Sequence, residues 1–166
     1  MIRVIICGAA GHMGQILTRV VNDAEDTELA AGVDVMGGEG YYTDFTSDIP
    51  EGDIIIDFSH HSLTNALLDF AISRNMPVII ATTGQTDEER AAISAAAEKI
   101  PVFFSANMSL GVALLVQLAK KAAAAFPDAD IEIVEAHHNR KLDSPSGTAA
   151  MLGAAIQEVR TDSELV

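Results

Sequence analysis

The chain of 166 residues has one cysteine, no tryptophan, and only ten Lys and Arg against 24 Asp and Glu. A lone Cys7 excludes an internal disulfide, and no Cys/His set stands at metal-finger spacing, so no metal site is expected. The formal charge of −14 repels phosphate backbones and anionic lipid, which argues against nucleic-acid and membrane partners. Long hydrophobic runs are also lacking. The opening run Val4–Cys7 is too short to span a bilayer, and glycines follow where a signal peptide would stay apolar. A reducing, cytoplasmic setting is expected. What is abundant is packing material: 49% of residues are hydrophobic and 20% charged, the balance of a globular chain long enough for one full core.

Apolar runs and helical patterns alternate along most of the sequence. Ile2–Cys7 is apolar and β-branched, Gly8-Ala9-Ala10-Gly11 breaks it, and Met13, Ile16, Leu17, Val20 and Val21 follow at helical spacing. Further strands are expected at Leu29–Asp34, Ile54–Phe58, Val78–Ala81 and Val102–Phe104, with helices at Ser62–Ile72 and Asp87–Lys99. Thr86 with Glu89 three residues on reads as a capping box for the latter. Short strands that are apolar throughout belong to a parallel sheet covered on both faces. The fold class is therefore α/β, a Rossmann-like doubly wound parallel sheet, followed by the start of a second, α+β part. An alanine-rich helix is expected from Leu110 to Phe126, with a break at Pro127-Asp128. Residues 1–128 read as a dinucleotide-binding domain. Residues 129–166 offer one strand, Ile131–Ala136, a polar loop and one helix to about Arg160. That is too little for a core of its own, and it reads as the first part of a substrate domain.

Gly8-Ala9-Ala10-Gly11-His12-Met13-Gly14 is a G-x-x-G-x-x-G turn between the first strand and first helix, a variant of the usual dinucleotide spacing. Glycines there let the backbone approach a pyrophosphate, while the helix N-terminus offers N–H groups. Asp34, closing the second strand, can accept from both hydroxyls of an adenosine ribose. It would also repel a 2′-phosphate, and neither Val35 nor Met36 offsets that, so NADH is expected over NADPH. His12 is either a donor to the pyrophosphate or an exposed first-turn residue.

Ligands of open α/β sheets bind beyond the carboxyl ends of the strands. Three polar loops stand there: Asp57-Phe58-Ser59-His60-His61, Ala81-Thr82-Thr83-Gly84 and Ser105-Ala106-Asn107-Met108. Each alone is ordinary turn and capping chemistry. Beside the glycine turn, together they describe a cofactor cleft, with Thr82-Thr83-Gly84 suited to the nicotinamide ribose or amide. His60 and His61 are read as solvent or cleft residues.

The densest polar stretch, Glu135–Thr148, gathers His137, His138, Arg140 and Lys141 in a chain poor in cations. Ser146-Gly147-Thr148 then opens a helix whose first N–H groups and Thr hydroxyl can bind a carboxylate. This is an anion site joined to proton donors, the combination that reduction of a C=N or conjugated C=C bond requires at the end opposite the hydride. The plainer reading is a solvated basic loop before a capped helix.

GAAGHMG near the start, IDFS at 56–59, ATTG at 81–84, SANMSLGV at 105–112 and EAHHNRKLDSPSGTA at 135–149 together resemble the 4-hydroxy-tetrahydrodipicolinate reductase (dihydrodipicolinate reductase) family of lysine and diaminopimelate biosynthesis. The last motif is highly specific. The resemblance implies an NADH- or NADPH-dependent oxidoreductase acting on a cyclic dicarboxylate, with His137 as catalytic proton donor or acceptor and Lys141 as catalytic proton donor. It implies that His138, Gly147 and Thr148 hold the substrate. The cofactor would be contacted by Gly8, Ala9, Ala10, Gly11, His12, Met13, Asp34, Ala81, Thr82, Thr83, Ser105, Ala106, Asn107 and Met108. His12 stands where many members carry arginine. Family chains continue well past this length, completing the substrate domain and forming a homotetramer. The alternatives are a nucleotide-binding fragment without turnover, and a Rossmann-type oxidoreductase for another imine or carboxylate substrate.

Overall fold

The structure, a computed structural model, describes residues 1–137, 139 and 144–164. It divides into two compact units, Met1–Ser105 and Ala106–Val166. The first unit is built on six parallel strands: β1 (Ile2–Cys7), β2 (Thr27–Val33), β3 (Tyr41–Tyr42), β4 (Ile54–Asp57), β5 (Val78–Ile80) and β6 (Val102–Phe104). Their spatial order is β3-β2-β1-β4-β5-β6, with every pair parallel. Helices α1 (His12–Asp23), α2 (Thr64–Ser73) and α3 (Asp87–Ala97) make the crossovers, and a single 3-10 turn at His61–Leu63 leads into α2. This is the doubly wound α/β architecture expected from the alternation.

The continuous apolar character of β1 follows from burial on both faces. Val4 and Ile6 pack with Ala9 and Val21 on the α1 side. Ile5 and Cys7 point the other way, into a larger cluster with Ile55, Val78 and Ile80, Leu67 and Leu68 of α2, and Ile93 and Ala96 of α3. Each such aliphatic side chain contributes roughly 1.5–3 kcal/mol of burial. The capping box at α3 forms as read: the Glu89 N–H donates to Thr86 Oγ1 at 3.2 Å, and the Thr86 N–H donates to Glu89 Oε2 at 2.8 Å. Asp87, Glu88 and Glu89 all sit in that first turn, against the positive end of the helix dipole. Hydrogen bonds to this turn hold the Glu88 and Glu89 carboxyls below their ordinary range.

Strand β3 has no counterpart in the sequence reading. Two tyrosines after a glycine-rich stretch give no alternation to detect, yet Tyr41 pairs with Gly32 in β2. A Cβ on Gly32 would come within 2.5 Å of the Tyr41 ring, so the missing side chain makes room for it.

The second unit contains α4 (Leu110–Ala125) and α5 (Gly147–Gln157). Each starts at a serine cap: Ser109 Oγ accepts from Val112 N, and Ser146 Oγ from Ala149 N. Lys120 of α4 pairs with Glu158 just past α5. Arg160 donates to the carbonyls of Phe126 and Ala129, satisfying acceptors left at the end of α4. The expected strand Ile131–Ala136 is not formed, because residues 131–137 carry no regular secondary structure. Alternating side chains do not make a strand unless a neighbouring strand takes the backbone N–H and C=O groups. Ile131, Ile133 and Val134 are exposed instead.

Candidate functional site

The carboxyl ends of the strands in the first unit form a rim, and the ladder continues past each strand to fix it. Gly8 N donates to Val33 O (2.8 Å), Phe58 N to Cys7 O (3.0 Å), Ala81 N to Asp57 O (3.0 Å) and Ser105 N to Ile80 O (3.1 Å). β1 lies between β2 and β4, so the chain reverses direction of winding at β1, where open α/β sheets hold their ligands.

Within the glycine turn the three glycines have different jobs. Gly8 has φ of 76°, and a Cβ on it would stand 2.5 Å from the Phe58 carbonyl oxygen. Gly14 lies so close beneath the turn that its Cβ would be 2.0 Å from Gly8 O. These two let α1 dock against the turn. Gly11 has an ordinary φ of −67°, and its Cβ would meet one atom, Gly8 O at 3.2 Å. Packing therefore does not demand a glycine at 11. Its bareness leaves open the approach to the first turn of α1, which has no side-chain cap on its N–H groups. An exposed helix N-terminus faced by bare backbone fits a pyrophosphate. His12 and Met13 are exposed at this end, while Ala9 is buried.

Asp34, half-buried at the end of β2, is tied to the same turn. Its Oδ2 accepts from Ala10 N at 3.0 Å, and its Oδ1 from Met36 N at 3.0 Å. A carboxylate oxygen has two acceptor positions, so each keeps capacity for a ribose hydroxyl. Val35 and Met36 beside it are exposed and uncharged.

Asp57, only 1% exposed at the end of β4, organises the next two loops, a role that its place at the head of a polar loop in the sequence did not show. Its Oδ1 accepts from the N–H and the hydroxyl of Ser59, and its Oδ2 from the Thr82 hydroxyl at 2.7 Å. The signal was present as an acidic residue closing an apolar strand. The arrangement also separates the two threonines. Thr82 is buried with its proton committed to Asp57, and its carbonyl accepts from Gln85 Nε2 at 2.9 Å. Thr83 is exposed and is the hydroxyl this loop presents outward. His61 is not a loose cleft residue either. Its Nδ1 lies 3.0 and 3.2 Å from the two Glu89 oxygens, which links the loop after β4 to the cap of α3. Cys7, buried beneath the rim, has its thiol pushed well up by desolvation and by the negative Asp57 and Asp34, which keeps it neutral.

Ser105 ends the first unit, and Ala106, Asn107 and Met108 begin the second. There, Asn107 Nδ2 lies 3.1 Å from Thr148 Oγ1. Gly147 and Thr148 are the first two residues of α5. Glu135, given no role of its own in the sequence beyond opening the polar stretch, accepts from Ser146 N at 2.8 Å and lies 3.3 Å from His137 Nδ1. The E-x-H spacing puts both side chains on one side of an extended segment. A carboxylate at Nδ1 places the proton there and leaves Nε2 as the ring's other functional nitrogen. His138 and Lys141 lie outside the described residues. A cleft of about 650 Å³ in this unit is lined by Ile131, Ile133, Glu135, Pro145, Ala149 and Gly153, among others. A cavity lined by Ser47, Ile49, Glu51, Gly52, Arg74 and Met76 lies at the opposite, amino end of the sheet, before β4 and β5. Among the described residues no helix is long and apolar enough to cross a membrane, and no group of three or more His, Cys, Asp and Glu is placed to hold a metal ion.

Comparison with known proteins gives consistent results. Residues 2–108 match the family model "Dihydrodipicolinate reductase, N-terminus", and residues 111–165 match "Dihydrodipicolinate reductase, C-terminus". The chain is similar to the 4-hydroxy-tetrahydrodipicolinate reductase of Caldanaerobacter subterraneus subsp. tengcongensis, 44% identical over 96% of this chain and 64% of that protein. The corresponding protein of Zymomonas mobilis subsp. mobilis is 42% identical over 96% of this chain and 63% of its own length. Among solved structures, a dipicolinate-bound dihydrodipicolinate reductase from Paenisporosarcina sp. TG-14 superposes with a TM-score of 0.75 at 31% identity, covering 100% of this chain and 69% of that one. A myo-inositol 2-dehydrogenase from Lactobacillus plantarum, 16% identical with a TM-score of 0.53, shares the fold alone. The chain thus spans about 64% of the length of the first of these curated relatives, and both of its parts, the sheet with its glycine turn and the segment that carries the His137 loop, belong to the dihydrodipicolinate reductase family.

Proposed function

We propose that the chain binds NADH at the β1–α1 turn and reduces 4-hydroxy-tetrahydrodipicolinate to tetrahydrodipicolinate, an oxidoreductase step of lysine and diaminopimelate biosynthesis in the cytoplasm. The observation that carries the reading is the coupling of Asp34 to the Ala10 N–H beside an uncapped helix N-terminus, because it sets a ribose acceptor and a pyrophosphate site in one rigid turn. When bound, NADH supplies the hydride. Gly8, Ala9, Ala10, Gly11, His12 and Met13 surround the pyrophosphate, and Asp34 takes the adenosine ribose hydroxyls. The uncharged Val35 and Met36 leave a 2′-phosphate facing Asp34 alone, which favours NADH over NADPH. Ala81 and Thr83 meet the nicotinamide end, with Thr82 holding their loop through Asp57, and Ser105, Ala106, Asn107 and Met108 complete the contacts.

On the substrate side, the first N–H groups of α5, at Gly147 and Thr148, take one carboxylate together with His138. His137, held at Nδ1 by Glu135, and Lys141 supply the proton that accompanies hydride addition, and the 4-hydroxyl group leaves as water, so that hydride, proton and oxygen balance. The relatives' printed names and the dipicolinate bound to the Paenisporosarcina protein support this choice of a cyclic dicarboxylate.

A second reading, dinucleotide binding without turnover, is favoured by one observation. Residues 131–136 lack a strand partner, so the segment leading into the His137 loop has little support, and proton donors need rigid placement. Steady-state NADH oxidation with 4-hydroxy-tetrahydrodipicolinate, run beside an NADH titration, separates the two. Turnover abolished by Lys141→Ala with NADH binding retained supports the reductase. NADH binding without turnover supports the second reading, and failure to bind NADH refutes both.

A further inference from the structure

We propose that Asn107 is a positioning residue that makes the Thr148 hydroxyl a committed hydrogen-bond donor to a substrate carboxylate. The inference rests on the reading of Thr148 as a substrate contact and adds to it a residue that acts through Thr148. Asn107 Oδ1 accepts from the Ser109 N–H at 2.7 Å, and Ser109 is itself the cap of α4. A carboxamide has one acceptor end and one donor end, so this bond decides which is which. The NH2 group is therefore the end that faces Thr148, 3.1 Å from its Oγ1.

That nitrogen has no lone pair to offer, so the threonine oxygen must accept. A hydroxyl that accepts from Asn107 still carries its own proton, which has to be donated to some other group. Thr148 is the second residue of α5, and beside it Gly147 is open: a Cβ added there would meet nothing within 4 Å. An anion at this helix start would thus receive first-turn N–H groups and a hydroxyl whose proton Asn107 does not compete for. Without the amide, the hydroxyl could rotate to bond local backbone instead, a common habit of threonine in helices.

The test is a double-mutant cycle in the full chain saturated with NADH, titrated with dipicolinate by calorimetry. Asn107→Ala and Thr148→Val should each weaken dipicolinate about tenfold, the size of one hydrogen bond to a charged group. The double variant should be no weaker than Thr148→Val alone, because the route from Asn107 to the carboxylate through the Thr148 hydroxyl is then already gone. Thr148→Ser should restore binding, and Thr148→Val should leave NADH affinity unchanged. Asn107→Asp keeps the acceptor for Ser109 but turns the other end into an acceptor, so it should lose dipicolinate while melting like the parent. Additive losses in the cycle, an Asn107→Ala chain that binds dipicolinate like the parent, or a loss confined to NADH would each overturn the proposal. If the parent binds NADH but not dipicolinate, or Thr148→Val costs nothing, the substrate reading itself fails and this inference fails with it.

Discussion

Replacing the glycines of the first turn one at a time with alanine separates what the fold requires from what the ligand requires. At Gly8 the φ of 76° lies in the left-handed region, which costs an alanine about 1–2 kcal/mol. The added Cβ would also press on the Phe58 carbonyl oxygen at 2.5 Å, and relieving such an overlap costs roughly another 1–3 kcal/mol. Gly8→Ala should therefore lose about 2–5 kcal/mol, a large part of the ~5–15 kcal/mol that holds a domain of this kind together. Gly14→Ala meets Gly8 O at 2.0 Å and should fall in the same range. Gly11→Ala is different. Its φ of −67° suits alanine, its single neighbour at 3.2 Å needs to yield only slightly, and the reduced freedom of the unfolded chain offsets some of that cost. Stability should stay within about 1 kcal/mol of the parent. NADH should nevertheless bind at least about tenfold more weakly, a loss near 1.4 kcal/mol, because the new methyl occupies the approach to the α1 N–H groups. Urea denaturation and NADH fluorescence titration on the same samples read both quantities. A Gly11→Ala chain that binds NADH like the parent, or that melts like Gly8→Ala, would refute the assignment.

Thr82→Val should destabilise the fold by about 1–3 kcal/mol by taking one donor from buried Asp57, whereas Thr83→Val should melt like the parent and weaken NADH; equal melting midpoints in the two variants would contradict this division. At low pH, Asp53 is informative. Hydrogen bonds from the Arg3 side chain and backbone lower its carboxyl from 3.8 to about 2, so its contribution is present above the unfolded value and disappears as pH falls through about 2. The stability gap between the parent and Asp53→Asn, measured by thermal melts, should therefore close between about pH 4 and pH 2, and a gap that widens on acidification would contradict the linkage. Because Cys7 is buried and its thiol is held neutral, labelling by a thiol reagent should be slow and accelerate with sub-denaturing urea; immediate labelling of the native chain would show the β1 end to be open.

The order of elements in the first unit was legible because buried parallel strands are written as short apolar runs and the crossover helices carry their own start signals, Thr86 and Glu89 above all. Helix bounds fell within a few residues, since ends fray where no cap intervenes. Tyr41–Tyr42 escaped because a two-residue strand has no period, and its pairing rests on what Gly32 lacks. Ile131–Ala136 misled in the other direction: it has the pattern of a strand, and pattern is silent about whether a partner exists. At the rim, the glycine turn and Asp34 were legible through placement, glycines between the first strand and first helix and an acid at the end of the second strand. The roles of Asp57, Glu89 toward His61, and Glu135 toward His137 depend on contacts that only folding creates. Thr82 and Thr83, adjacent and identical in type, are told apart only by which one Asp57 turns inward.

The central claim is that this chain moves a hydride from a nicotinamide to a cyclic dicarboxylate, and isotope transfer tests it most directly. The chain would be incubated with 4-hydroxy-tetrahydrodipicolinate and NADH deuterated at nicotinamide C4 on the transferred face, and the product analysed by mass spectrometry. The account predicts tetrahydrodipicolinate carrying one deuterium, formed in step with the loss of NADH absorbance. Consumption of NADH without deuterated product, or no consumption by a chain that binds NADH, would contradict it.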